Sequence, residues 1–300
     1  MLMTPPSEPH GILAHYFCAD ESSRVQGALT IAEWDAGLDA YGSRLIPARE
    51  WIKRALKGQT RDEVCVTFDD GLKEAQTYAL PALERRGLTA AWYPYTQVLV
   101  GVPHQLERDR WIRNHAYGSL EAFYAAWWKH VKAEDFATAL PSSYLADRGY
   151  LTDIDRLWRY WRNERVTPDD YRAVMDALEG PHRFDPTTHW LTAYDLAKLQ
   201  WEGHVVGLHT HTHRPGFDPV EWATASHFVW ATTAAWPYGA YSDAGRDWLH
   251  AHGFVLIWGA TMQGSLPWNT PRWSTGYWGQ PPAWCHGRPH DARMAADHDG

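Results

Sequence analysis

An apolar run, Val64-Cys65-Val66-Thr67-Phe68, stops abruptly on two adjacent carboxylates and a glycine, Asp69-Asp70-Gly71. Buried parallel strands read as near-continuous hydrophobic runs, and in folds built from βα units the chemistry gathers at the carboxyl ends of the strands. Two neighbouring Asp side chains repel each other, so the pair calls for a cation, an arginine or a shared proton. Either carboxylate would also serve as N-cap to a helix beginning near Leu72. This stretch alone leaves both readings open.

A second stretch repeats the pattern. His204-Val205-Val206-Gly207-Leu208 reads as a strand and runs into His209-Thr210-His211-Thr212-His213. A lone histidine is more often a hydrogen-bonded core or surface residue than a ligand, but neutral imidazole is also the commonest metal donor. If the chain leaves the strand at Thr210 and turns, His209 and His213 face one point while His211 is directed elsewhere. One Asp and two His with open positions suit zinc or a similar divalent ion that must also bind water and substrate.

Three motifs together carry a resemblance: Thr67 to Gly71 as Thr-Phe-Asp-Asp-Gly, His209 to His213 as His-Thr-x-x-His, and Pro237-Tyr238-Gly239. In order and approximate spacing they resemble the polysaccharide deacetylases, the carbohydrate esterase family 4 or NodB-like group. The resemblance covers about Ile12 to Trp273 and leaves residues 102–188 unmatched. It implies an α/β fold, a distorted (β/α)7-type barrel in one domain spanning 1–300. A helical insertion at 102–188 and a loop-like tail at 277–300 complete that layout.

The resemblance also implies a chemistry. Asp70, His209 and His213 would hold one divalent metal ion, zinc in the first place, with nickel, cobalt or manganese as alternatives. Asp69 would be the general base, and the backbone of Tyr238 would face the oxyanion. In many relatives an arginine two positions before the motif proline holds the base; here that position is Ala235. Arg272, in Thr270-Pro271-Arg272-Trp273, takes the place such an arginine has in the circularly permuted poly-N-acetylglucosamine branch. Ile12 to Phe17 is similar to the first strand of that branch, which makes His15 the candidate general acid. Trp92, Trp236 and Pro237 are the expected substrate contacts. The implied partner is a small-molecule or oligosaccharide substrate bearing an N-acetyl group.

Composition narrows the choices. The charge of −8 creates no field that would draw in nucleic acid or an anionic membrane. No run reaches membrane-spanning length, and Met1 to Pro9 has none of the marks of a signal peptide. Cys18, Cys65 and Cys285 are an odd number without metal spacing, which suits a reduced, cytoplasmic setting and a soluble substrate. Nineteen tryptophans stand out, and a single one reads as core material sooner than as a sugar platform.

Thr30 caps a helix running to about Tyr41, and further helices are expected over 47–56, 73–86, 191–201 and 243–252. Strands are expected at 88–95, 231–235 and 253–259. Within 102–188, helical spacing recurs over 120–131, 151–161 and 169–178, closing with turn chemistry at Asp185-Pro186. That segment either packs over the barrel or forms a lid with Trp111, Trp127 or Trp158 toward substrate. His286, His290 and His298 in the tail read as solvent-exposed. Three functions stay open on the sequence: an N-deacetylase of an acetamido sugar, a hydrolase of another C–N bond such as a ureide or cyclic amide, and a non-catalytic carbohydrate-binding protein.

Overall fold

The computed structural model describes residues 6–25, 27–132, 140–146, 151–180, 182–262 and 269–274. Among the described residues, nine short strands are interspersed with helices: β1 (His10–Ala14), β2 (Phe17–Cys18), β3 (Leu29–Thr30), β4 (Val64–Asp69), β5 (Ala91–Tyr93), β6 (Val205–Val206), β7 (Thr233–Ala235), β8 (Leu256–Trp258) and β9 (Arg272–Ser274). All pairing between these strands is parallel. One sheet runs β6-β5-β4-β1-β9, and β7 pairs with β8. Single bridges join these two sheets, Leu208 to Ala234 and Trp258 to Thr270. Seven strands therefore follow one another in a ring whose two seams are each one bridge wide, which is the sense in which the (β/α)7 barrel is distorted.

Strand alternation divides the core in two. In β4, Val64, Val66 and Phe68 turn outward and join the large cluster shared with the helix layer. Cys65 turns inward with Ala91, Tyr93, Ala235, Leu256 and Trp258. The interior is tight enough to demand glycine. A Cβ on Gly207 would lie 2.2 Å from the Tyr93 ring, and one on Gly11 would lie 2.7 Å from Trp258.

The helices form where the caps and apolar faces expect them. α1 (Ile31–Tyr41) starts with a capping box between Thr30 and Glu33. α2 (Ala48–Leu56) packs into the inner cluster rather than over the outer face, with Trp51 against Trp258 at 4.9 Å. The expected helix after Gly71 contains a π-helical turn, Ala75–Ala79, before α3 (Leu80–Glu84). Pro81 lacks the N–H that the turn before it would otherwise receive, and a π-bulge is one accommodation of that gap.

The described residues form two compact units: one runs up to His104 and resumes at Asp185, the other is Gln105–Phe184. The second unit contains α4 (Gln105–Trp111), α5 (Leu120–Trp127), α6 (Asp153–Tyr160) and α7 (Pro168–Glu179). Trp127 and Trp158 lie in its own core with Phe123, Trp161, Tyr171 and Met175, and Trp111 packs against that core. Trp127 and Trp158 are thus spent on packing and are not presented as lid residues. The chain then continues through α8 (Pro186–His189), a single helical turn where only a turn was expected. α9 (Ala193–Trp201), α10 (Pro219–Ser226) and α11 (Asp243–Ala251) follow. Cys285, the three tail histidines and the segment 277–300 lie outside the described residues. Among the described residues, no helix is long and apolar enough to cross a membrane.

Gly207→Ala forces the Tyr93 ring or the β7 backbone to move. It is expected to cost about 1–3 kcal/mol, read as a lower denaturant midpoint at unchanged slope.

Candidate metal-hydrolase site

The site forms where β1, β4, β6 and β7 end, and β9 contributes from its first residue. Alternation along β4 turns Thr67 and Asp69 inward, and Asp69 is the last residue of the strand. The first residue of β9, Arg272, reaches it across the ring. Arg272 Nη1 donates to Asp69 Oδ1 at 2.6 Å and Nη2 to Oδ2 at 2.8 Å, a bidentate pair. Its Nε donates to the Gly259 carbonyl and Nη1 also to Thr67 Oγ1 at 3.4 Å. Both partners are buried, Arg272 at 1% and Asp69 at 3% exposure. Burial opposes the charge on Asp69, but the Arg272 guanidinium outweighs it and holds the carboxyl below the usual range.

The next residue turns away. Asp70 has φ 67°, a left-handed backbone that swings its side chain from the arginine toward the histidines. Asp70 Oδ1 lies 3.6 Å from His209 Nε2 and 3.2 Å from His213 Nε2. The three donor atoms lie within 4.8 Å of one another. Donors placed about 2.1 Å from a tetrahedral ion are about 3.4 Å apart, so this spacing fits a divalent cation.

Protonation suits the same purpose. His209 Nδ1–H donates to the Ala235 carbonyl at 2.9 Å, which leaves the lone pair on Nε2. Burial lowers the pKa of His209 despite Asp69. Burial, followed by His209, His104 and His15, lowers that of His213 well below its ordinary value. Both imidazoles are therefore neutral donors.

His15 follows β1 and is half-buried. Tyr238 has φ 54° and sets its ring 4.6 Å from that of His213; Pro237 beside it is buried. His211 turns elsewhere, to Thr96 Oγ1 at 2.9 Å, with its ring flat against Phe228. Six non-glycine residues have positive φ among the described residues, and four of them are Asp70, Thr210, His213 and Tyr238. Such strain gathers at functional sites because it aims side chains that regular structure cannot aim.

Two expected substrate contacts are corrected. Trp92 and Trp236 are both 0% exposed and lie in the outer cluster. In β5 the inward positions belong to Ala91 and Tyr93, so Trp92 points outward, packs on Phe68 at 4.4 Å and donates its indole N–H to His204. Ala235 likewise takes the inward place, and Trp236 packs on Trp222 at 5.6 Å. Tyr95 and His104, not picked out from the sequence, lie 5.1 and 5.2 Å from the His213 ring. No motif marks them; they reach the site through the loop after β5.

No protein-family model matches the chain, and no curated protein matches it. Its fold is similar to that of the Streptococcus pyogenes deacetylase PplD, solved in complex with acetate. The two are 14% identical with a TM-score of 0.50, over 90% of this chain and 93% of that one. It is also similar to IcaB from Ammonifex degensii, at 14% identity and a TM-score of 0.51, over 93% of this chain and 100% of that one. At such identities the likeness is one of fold.

Arg272→Met leaves the Asp69 carboxylate buried without its partner, and unfolding is expected to become easier by about 3–5 kcal/mol. Asp69→Asn added to that variant should recover much of the loss, which denaturant unfolding of the parent, single and double variants measures.

Proposed function

We propose that this chain is a metal-dependent hydrolase of the polysaccharide deacetylase family, removing an N-acetyl group from an acetamido sugar or glycoconjugate precursor. The observation that carries the proposal is the division of labour between adjacent carboxylates. Asp69 is held ionised by a buried guanidinium, while Asp70 faces two neutral imidazoles. A protein that only bound carbohydrate would have no use for a desolvated, ionised carboxylate beside a metal-ligand set. The fold likeness to a deacetylase that binds acetate, the acid an acetamide releases on hydrolysis, adds support.

Asp70, His209 and His213 would hold a divalent cation, zinc first among the candidates, which would supply Lewis acidity to lower the pKa of water and polarise an acyl carbonyl. Asp69 takes the proton of the attacking water. Arg272 keeps that carboxylate ionised and fixes both its oxygens, so its orientation is set before substrate arrives. Left-handed Tyr238 sets its ring 4.6 Å from that of His213, and its backbone N–H is the proposed donor to the carbonyl oxygen as charge builds there. His15 in its protonated form gives a proton to the leaving nitrogen, so that the C–N bond breaks to amine and acetate rather than reverting to amide. Each proton taken from water by Asp69 is matched by one delivered by His15.

Acetate release from a panel of acetamido sugars tests the activity. Asp69→Asn should keep its metal and lose about 100- to 10,000-fold in turnover; a fully active variant would sink the base assignment. Elemental analysis after dialysis should find about one divalent ion per chain in the parent and none in His209→Ala. If neither binds metal after reconstitution, the hydrolase proposal fails.

A further inference from the structure

The segment that carries two of the three ligands is held in a conformation its own residues do not favour. Thr210 and His213 have φ of 64° and 63°, and neither is a glycine. Left-handed residues of this kind cost about 1–3 kcal/mol each and persist only where their surroundings over-determine them. Inside the loop, Thr210 Oγ1 accepts the N–H of His213 at 3.1 Å. One bond does not fix five residues.

Two elements grip the loop from outside. From the turn after β5, Thr96 N–H donates to the Thr210 carbonyl at 3.2 Å and Gln97 N–H to that of His211 at 2.9 Å. From α10, Glu221 turns a single carboxylate oxygen, Oε2, onto two successive amides, those of His211 at 3.1 Å and Thr212 at 2.7 Å. Glu221 is not needed at its own helix end. Asp218 caps α10 by accepting the N–H of Val220 at 2.8 Å. The Glu221 carboxylate is directed at the ligand loop, midway between His209 and His213.

We infer that Glu221 is a positioning residue for the metal site: by holding the amides of His211 and Thr212, it fixes the separation and aim of His209 and His213. The divalent-cation affinity of the chain depends on it. This inference rests on the reading of Asp70, His209 and His213 as a metal set. Its physical basis is that groups orienting metal ligands matter nearly as much as the ligands, because an unheld loop must be ordered by the ion itself. Two charge-assisted bonds to one oxygen are a strong form of such ordering.

The test is titration of the metal-free protein with Zn²⁺ in competition with a chromophoric chelator, for the parent, His209→Ala, Glu221→Met and Glu221→Gln. Methionine fills nearly the same volume and suits a helix but accepts no hydrogen bond; glutamine keeps an acceptor oxygen. Glu221→Met is expected to bind Zn²⁺ about 10- to 100-fold more weakly, while Glu221→Gln recovers most of the affinity. Thermal melting of the metal-free forms checks that both variants fold like the parent. Should the methionine variant fail that check, Glu221→Ala is titrated in its place: Zn²⁺ binding about 10- to 100-fold weaker supports the inference, and parental affinity overturns it. Parental affinity in Glu221→Met overturns the positioning role while leaving the metal reading intact, provided that His209→Ala has lost binding. A parent that binds no Zn²⁺ overturns the metal reading itself, and the role of Glu221 with it.

Discussion

The rest of the barrel is arranged around the bidentate pair between Arg272 and Asp69. Taking two ions out of water is costly, and their attraction repays it only where geometry is good and the remaining donors are satisfied. Here Nε, Nη1 and Nη2 of Arg272 all find acceptors, on the Gly259 backbone, Thr67 and Asp69. The interior must leave room for this. A Cβ on Gly11 would already press on Arg272 Cγ at 3.2 Å, and Thr67, beside it, spends its own hydroxyl proton on the Ile12 carbonyl at 2.9 Å. Small and polar residues inside the upper ring are thus the counterpart of the large aromatics, Trp51, Tyr93 and Trp258, that fill the rest of the interior.

From that pair the site is built by changes of backbone hand rather than by regular structure. Asp69 is still in the strand and meets the arginine, whereas Asp70, one residue later, has crossed into the left-handed region and meets the histidines. Two carboxylates that would otherwise repel are separated into different electrostatic partnerships. The same device recurs at Thr210, His213 and Tyr238, where the chain has left the strands. Local stability is given up at these points and returned by the caps, clamps and packing around them.

Much of this was legible in the sequence because the residues that matter sit beside strong local signals. β4 is an uninterrupted apolar run, the His loop is dense in one residue type, and the Thr30–Glu33 box marks α1 without tertiary help. The arginine was legible only through the family resemblance. β9 is three residues long and gives no periodic signal. What stayed hidden depends on direction. Trp92 sits one residue from the inward-facing Tyr93, and a slip of one position along a strand exchanges the two faces. Glu221 contacts backbone amides, which leave no mark on the composition of the loop they belong to. α2 entered the inner cluster rather than the outer layer because Trp51 finds Trp258 there, a meeting of residues far apart in the chain.

β1 lies between β4 and β9, so the first and last described strands of the barrel are direct neighbours. The pair between Arg272 and Asp69 spans 203 positions of sequence. During synthesis, the carboxylates emerge long before the guanidinium that steadies them, and closing so long a loop is slow compared with forming local turns. A nascent or clipped chain that lacks β9 can display both aspartates together with His209 and His213, yet Asp69 would meet neither its counter-charge nor a closed ring. Completion of the barrel is in this sense a condition of the site: the carboxylate proposed as base is held by one of the last strands of the barrel to arrive.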